Sequence, residues 1–289
     1  MLALKNLIKR NISLYLRNKS TVFFSLLSMI IIIALYALFM ADVQVNEMAK
    51  QYGNRDAIDW MINSWIMGGI IAVNAVNITM TILMNMVEDK DRGKSKDFLV
   101  APLKKWQIIG GYLGAAIIVG IGMTILSFII AELYIVMNGG ELLPMISAIK
   151  VLIGIVVSVI SIAAVFLFIL LFVNSEKAAS AISTVVGTLI GFIAGVYVPI
   201  GLMPEFVQNI MKIMPINYCA TMFKQIFVAE PNKLIFNNPG DLDTYNQLMG
   251  NIIYVKGTEI TYNMYIIVLL ATAVIFFIAA LIKIKKDNK

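Results

Sequence analysis

Six long stretches of uncharged, mostly apolar residues divide the chain, and shorter polar segments separate them. A helix needs about 20 consecutive apolar residues to cross the hydrocarbon core of a membrane. Because the runs are continuous rather than alternating, they predict membrane-spanning helices and not barrel strands. The six predicted spans are Thr21–Ala41, Met61–Val87, Trp106–Ala131, Val151–Val173, Ala178–Pro204 and Ile260–Ile282.

The segment before the first span has the pattern of an amphipathic helix. Apolar side chains recur at helical spacing from Leu4 to Tyr15, and basic side chains such as Lys5 and Lys9 fall on the opposite face. Such a helix lies in the membrane interface, with its apolar face toward the acyl chains and its bases near anionic headgroups. Residues 1–20 are therefore predicted to form an interfacial helix that leads into the first span.

The segment between the fifth and sixth spans predicts short helices and a polar cap. Pro199, Pro204 and Pro215 interrupt an apolar stretch, which favours short re-entrant helices over a full span. The following residues, 229–259, are polar and rich in turn-forming residues. The predicted fold is thus an all-α integral membrane protein, a single transmembrane domain over 1–289 with an extracellular cap over 199–259.

The composition argues against a soluble enzyme. Apolar residues make up 60% of the chain, charged residues make up 14%, and the mean hydropathy is +0.86. Soluble domains are about 45–50% apolar and about 25% charged. The chain has no histidine and a single cysteine, Cys219, so the commonest general base, the usual zinc ligands and a disulfide framework are missing. Neither a catalytic residue nor a metal site is predicted.

The distribution of Lys and Arg predicts the orientation of the chain in the cell membrane. The N-terminal segment, the loop after the second span and the C-terminal tail are basic, whereas Asp42–Trp60 carries two bases against four acids. Basic segments stay in the cytoplasm, so both termini of this multi-pass protein are predicted to be cytoplasmic. The net charge of +6 follows from this asymmetry and does not indicate a nucleic-acid partner.

The tripeptide Gly93-Lys94-Ser95 matches only the end of a phosphate-binding loop. The complete loop begins with a further glycine after a strand, whereas Glu88 occupies that position here at the end of a predicted span. A carboxylate at that place would repel phosphate. No nucleotide site is therefore expected in this chain, and the energy for any driven transport would come from another protein.

The loop after the second span, residues 88–105, combines charged residues with an apolar knob. A short amphipathic helix with this pattern fits a groove on another protein. The alternative is an ordinary solvated basic loop. Its candidate docking residues are Glu88, Asp89, Arg92, Phe98, Leu99 and Pro102.

Two spans carry small or polar residues at helical spacing. Amides are costly in lipid, so the stripe on the second span is predicted to face protein or water, either as interhelical hydrogen bonds or as the lining of a pathway. Glycines at four-residue spacing on the fifth span predict close packing against another helix, in the same chain or in a second copy. The stripe comprises Asn74, Asn77, Thr81 and Asn85, and the glycines Gly187, Gly191 and Gly195 have Thr184 and Thr188 beside them.

Four segments in order on a six-span plan resemble the permease subunit of type 2 ABC exporters. They are the interfacial helix Leu2–Arg17, the loop EDKDRGKSKDFLVAPLKKWQIIGGYL, the segment NSEKAASAIS and the segment GVYVPIGLMPEFVQNIMKIMPINY. In that family the loop after the second span holds an acid, a glycine, a leucine pair and a proline before a third helix that opens with glycine. The matching positions here are Glu88, Gly93, Phe98-Leu99, Pro102 and Gly110-Gly111.

The resemblance implies two permeases, either two copies or two homologous chains, assembled with two cytoplasmic ATPase subunits that bind ATP and Mg²⁺. This chain would hold no cofactor, its loop 88–105 would be the coupling helix, and its N-terminal helix would be the connecting helix. A hydrophobic or amphipathic substrate, such as a drug, an antimicrobial peptide or a lipid-like molecule, would pass between the permeases along spans two and five. It would leave through an extracellular gate at Pro199, Met203 and Pro204.

Two other classes of function remain open. An ion-coupled secondary carrier for a hydrophobic solute is disfavoured because no paired charges lie within the predicted spans. A membrane-embedded enzyme is disfavoured because the chain lacks histidine and paired intramembrane acids. The resemblance therefore makes an exporter permease the predicted function, ahead of these two classes.

Overall fold

The computed structural model describes residues 2–39, 41–94, 103–255 and 257–286. A 3₁₀ turn, η1 (Ile200–Leu202), and an antiparallel hairpin of β1 (Tyr254–Val255) with β2 (Thr258–Glu259) accompany the α-helices. The helices are α1 (Leu2–Arg17), α2 (Lys19–Phe39), α3 (Ala41–Tyr52), α4 (Arg55–Asp91), α5 (Lys105–Met137), α6 (Met145–Leu170), α7 (Glu176–Ile193), α8 (Glu205–Met211), α9 (Pro215–Phe227), α10 (Ala229–Ile235), α11 (Pro239–Met249) and α12 (Tyr262–Lys286).

Five helices in the described part of the chain are long and apolar enough to cross a membrane, namely α4, α5, α6, α7 and α12. A sixth candidate is obtained when α1 and α2, which meet at 71°, are taken as one bent span. Each predicted span coincides with one of these helices, with α2 at the position of the first. The chain is therefore an all-α, multi-pass membrane protein.

Helix α4 is the centre of the bundle. It packs against α2, α3, α5, α6, α7, α9 and α10, and every residue from Met61 to Val76 is buried. Its 37 residues correspond to about 55 Å at about 1.5 Å per residue. Because the hydrocarbon core is about 30 Å thick, α4 is long enough to extend beyond the spanning region.

The fifth span is shorter than predicted. The apolar run continues to Pro204, but helix α7 ends at Ile193. Gly195 adopts φ +60°, and the N–H groups of Val196 and Tyr197 both return to Gly191 O, at 2.8 and 3.2 Å. A left-handed glycine with such returning bonds closes a helix, and hydrophobicity alone does not reveal it.

The bundle has two chemically different ends. At the cap end, α3 and α10 pack against α4, and Trp65 Nε1 donates to Met249 O of α11 at 3.0 Å. A hydrogen bond of 2.7 Å to Asp243 Oδ1, with a smaller contribution from burial, raises the pKa of Tyr254 there to about 12. At the opposite end, here called the loop end, α4 finishes beside the starts of α5 and α7.

Candidate functional site

At the loop end, a buried carboxylate joins three helices. The side chain of Asp89 on α4 is 5% exposed, and its Oδ2 lies 2.7 Å from Arg10 Nη2 of α1. The same oxygen accepts a hydrogen bond of 2.7 Å from the hydroxyl of Tyr112 on α5. Charge-assisted bonds of this length are stronger than neutral ones. Asp89 therefore holds α1 and α5 against the end of α4.

A second group of contacts joins the end of α4 to the loop before α7. Arg92 Nη1 lies 2.9 Å from Glu88 Oε1, and Arg92 Nε lies 3.4 Å from Glu176 Oε2. Lys90 Nζ donates to Asn174 Oδ1 at 2.6 Å. These side chains are more exposed than Asp89, so each contact contributes little alone, but together they fix the position of the loop.

The two groups form one surface at the loop end, called here the charged platform and defined by Arg10, Glu88, Asp89, Arg92, Tyr112 and Glu176. Its α4 residues stand shortly before residues 95–102 in the sequence. The predicted docking residues Phe98, Leu99 and Pro102 lie outside the described residues, so the structure adds nothing to what the sequence says of them.

The polar stripe of α4 divides into a buried and an open part. Asn74 is fully buried, and its Nδ2 donates to Ser127 Oγ of α5 at 3.1 Å. Asn77, Thr81 and Asn85 are partly exposed on an otherwise largely buried helix. Asn74 thus makes an interhelical hydrogen bond, whereas the other three leave a polar face open in the half of α4 nearer the loop end.

Helix α7 carries an exposed face with mixed polarity. Thr184 and Thr188 are exposed, and their hydroxyls donate to the carbonyls of Ser180 and Thr184 at 3.0 and 2.8 Å. Such bonds to the preceding turn satisfy a hydroxyl without a partner from another helix. This face remains uncovered although α7 packs against α4.

The three predicted packing glycines do not form a single helix face. A Cβ at Gly187 would meet nothing within 4 Å, and one at Gly191 would overlap the ring of Tyr197 from the same chain. Gly195 lies beyond the end of α7 with φ +60°. The prediction that Gly195 continues the helical pattern is wrong, because the chain turns at that residue instead of completing another helical turn.

The predicted gate residues organise the short helices at the cap end. Pro199 precedes η1 and Pro204 precedes α8, and Met203 O accepts a hydrogen bond of 2.8 Å from Gln208 Nε2. A Cβ at Gly201 in η1 would lie 2.6 Å from the backbone of Leu248 in α11. The segment therefore sits closely against the cap.

The sequence model of a family described as ABC-2 type transporter matches residues 3–228 of this chain. The chain belongs to the ABC-2 type transporter family. The match runs from α1 to the end of α9 and includes the charged platform, the open face of α4 and the turn after α7. A search among curated proteins found no match.

As an ABC-2 type transporter chain, the protein is the membrane permease component of an ABC-type transporter. Sequence reasoning found three members of its charged platform, Glu88, Asp89 and Arg92, but assigned no role to their partners. Arg10 and Glu176 lie in two of the segments that carry the family resemblance, but neither residue was assigned a role in the site from the sequence. Acidic and basic residues are mixed over positions 88–92. This mixture was the signal in the sequence that these side chains would form ion pairs.

Replacing Gly93 with alanine should weaken the end of α4 in this transporter by about 1 kcal/mol, because an L-residue in the left-handed region costs about that amount. Gly93 has φ +75° with nothing within 4 Å of an added Cβ, so the cost is conformational and not steric. Gly93→Asn should cost less, since asparagine tolerates this region. Thermal unfolding of the three purified proteins measures the effect; equal midpoints would show that the turn is not required.

Proposed function

We propose that this chain is the permease of an ABC exporter that moves a hydrophobic or amphipathic substrate, such as a drug, an antimicrobial peptide or a lipid-like molecule, out of the cytoplasm or the inner leaflet. A separate ATPase subunit binds ATP and Mg²⁺, because this chain has no phosphate-binding loop. The observation that carries the proposal is the charged platform, which joins four helices and whose α4 residues shortly precede residues 95–102 in the sequence.

The platform is suited to transmitting the motion of a docked ATPase. Residues 95–102 connect α4 to α5 in the sequence, so both helices follow their displacement, and Asp89 links α4 to α1 and α5 through two bonds of 2.7 Å. Arg92 links α4 to the start of α7. The two helices that carry the open polar residues, α4 and α7, are thus both linked to the loop 88–105.

The uncovered face of α7 supports a second permease, either a second copy or a homologous chain. Among the five candidate spans of the described residues, α7 is the least buried. Its exposed residues include the apolar Val185 and Leu189 next to Thr184 and Thr188. We propose that two such faces, with the open polar parts of the two α4 helices, enclose the substrate pathway.

Exposed apolar residues support a re-entrant position for the short helix α8 in the outer leaflet. Phe206 and Ile210 are 67% and 50% exposed, and their four-residue spacing places them on one side of α8. Ile213, just beyond the end of the helix, is 81% exposed. An apolar stripe of this kind is costly in water but not in acyl chains. Together with Pro199, Met203 and Pro204, this segment would border the extracellular exit.

Purification of the tagged full chain from its native membrane tests the function. We expect an ABC ATPase subunit to copurify. The double change Phe98→Ala and Leu99→Ala should reduce its recovery by about tenfold or more, because burying each apolar side chain contributes about 1.5–3 kcal/mol. The matched control is Leu142→Ala with Ile146→Ala, two exposed residues at the cap end. Export that continues without any ATPase would favour the ion-coupled carrier.

The proposed orientation has its own test. In a Cys219→Ser background, cysteines at Lys50 and Gly240 should react with an impermeant thiol reagent in intact cells, because the cap end is proposed to be extracellular. A cysteine at Lys94, at the loop end, should react only after the membrane is permeabilised. All three positions are exposed, so accessibility within the fold does not limit the reaction. Labelling of position 94 but not 240 in intact cells would invert the orientation.

A further inference from the structure

One lysine near the cap end is buried inside the bundle. Lys224 of α9 is 0% exposed, although its place in the sequence is within a segment predicted to be extracellular. Its Nζ donates to Gly195 O at 2.8 Å and lies 4.2 Å from the centroid of the Trp65 ring. Trp65 belongs to α4 and Gly195 to the turn after α7. A single ammonium group therefore ties that turn to both α9 and α4.

Glycine makes room for this lysine on three sides. A Cβ at Gly68 of α4 would lie 2.8 Å from Lys224 Cα, and one at Gly69 would lie 3.0 Å from Lys224 Cε. A Cβ at Gly195 would lie 3.1 Å from Nζ. The surrounding helices therefore form a close-fitting seat for the lysine stem and its ammonium.

The contacts of Lys224 compensate its charge only in part. None of the carboxylates of the described residues forms an ion pair with Lys224, and burial lowers the pKa of its side chain. A carbonyl and an aromatic face both stabilise an ammonium, but a buried charge loses its hydration, and apolar replacements of buried charges are often as stable or more stable. The charge thus favours any conformation in which Nζ meets water.

The turn that Lys224 holds connects α7 to η1. It follows α7, which is the least buried candidate span of the described chain. Within the turn, Tyr197 is 43% exposed, whereas Val196 is only 5% exposed. The side chain of Val196 packs against Gly69 of α4. Displacing the turn would uncover Val196 and hydrate Lys224 without unfolding either helix.

We propose that Lys224 is the positioning residue of a gate at the cap end. Its contacts with Gly195 and Trp65 define the closed state, and the desolvation of its charge favours opening by moving the turn after α7 away from α4. The inference rests on the exporter function proposed above, because the gate would be the exit of the transport path. It adds a residue and a driving force that the sequence did not indicate.

The exposure of Val196 reports the gate directly. The test uses the full chain in permeabilised membranes, with Val196→Cys in a Cys219→Ser background and a water-soluble maleimide. Lys224→Met keeps the length of the side chain and removes its charge. We expect it to slow labelling of position 196 about tenfold, since an apolar replacement stabilises the closed state, and to leave the thermal midpoint equal or higher. The matched control is Lys233→Met on α10, an exposed lysine paired with Glu230, which should label at the parent rate.

A structural role for Lys224 predicts the opposite sign. Faster labelling, a lower midpoint or failure of Lys224→Met to fold would overturn the proposal, because the charge would then hold the closed state together. An unchanged rate would overturn it as well. Lys224→Gln is neutral but can still donate a hydrogen bond, and position 196 in this variant should label as slowly as in Lys224→Met. Labelling at the parent rate in Lys224→Gln would show that the charge does not drive opening. Neither readout needs an ATPase or transport, so a failed copurification and a failed gate test remain distinguishable.

Discussion

Gly68→Ala should destabilise the folded chain by about 2 kcal/mol, within the range of about 1–3 kcal/mol for overpacking a tight contact. An added Cβ would lie 2.8 Å from both Lys224 Cα and Lys224 N and 3.0 Å from Phe223 C. All three are backbone atoms, so no change of rotamer relieves the overlap. Helices α4 and α9 must move apart, and the thermal midpoint of the purified protein in detergent should fall.

Gly122→Ala on α5 is the matched control for this prediction. It also replaces a glycine inside a long helix, but a Cβ there would meet nothing within 4 Å. Alanine is favoured over glycine in a helix by about 1 kcal/mol, so this variant should be as stable as the parent or more stable. A Gly68→Ala protein that unfolds at the temperature of Gly122→Ala would show that α4 and α9 do not approach this closely.

Asp89→Ala should lower the free energy of unfolding by about 3 kcal/mol, because it removes a buried carboxylate that accepts two short bonds. The two donor groups then lose this acceptor. The hydroxyl of Tyr112 is buried and would lose its acceptor. Arg10 would lose its ion pair of 2.7 Å. We also expect the variant to lose export while it still inserts into the membrane, because α1 and α5 would no longer follow the end of α4.

A double-mutant cycle separates the contributions at Asp89. Combining Asp89→Ala with Arg10→Ala should give a coupling energy of about 1–2 kcal/mol in thermal or denaturant unfolding, as contacting residues do. Tyr112→Phe, which removes one hydroxyl, should cost about 1 kcal/mol. A coupling energy near zero would mean that the ion pair does not join α1 to α4, and the proposed route of motion would lose its first step.

Much of the fold could be predicted because membrane spans are encoded locally. Each predicted span coincides with a helix, but α4 extends past its apolar run into polar residues at both ends, α5 continues to Met137, and α7 already ends at Ile193. The apolar run identifies where lipid surrounds the chain, but helical hydrogen bonding continues into polar residues such as Arg55 and Asp91. The end of α7 was missed because a left-handed turn at Gly195 is a property of backbone conformation, and both the run of apolar residues and the glycine spacing continue past it.

The sequence predicted some residues of the candidate site but not the residues that they contact. Glu88, Asp89 and Arg92 attracted attention because charges at the end of a span are conspicuous in an apolar sequence. Whether such residues meet cations, carbonyls or water depends on which helices lie beside them. Arg10 and Asp89 are far apart in the sequence, and no local pattern encodes their contact.

The sequence by itself determined the membrane class, the position of each long helix and the family, because length, hydropathy and short ordered motifs are properties of contiguous residues. Only the tertiary structure decided which polar groups are shared between helices. It buried Lys224 beneath the turn after α7, bonded Asn74 to α5 and left Asn77 open. The physical reason is that burial of a side chain depends on every neighbouring helix: the glycines of α4 admit α9, and that close approach removes Lys224 from water.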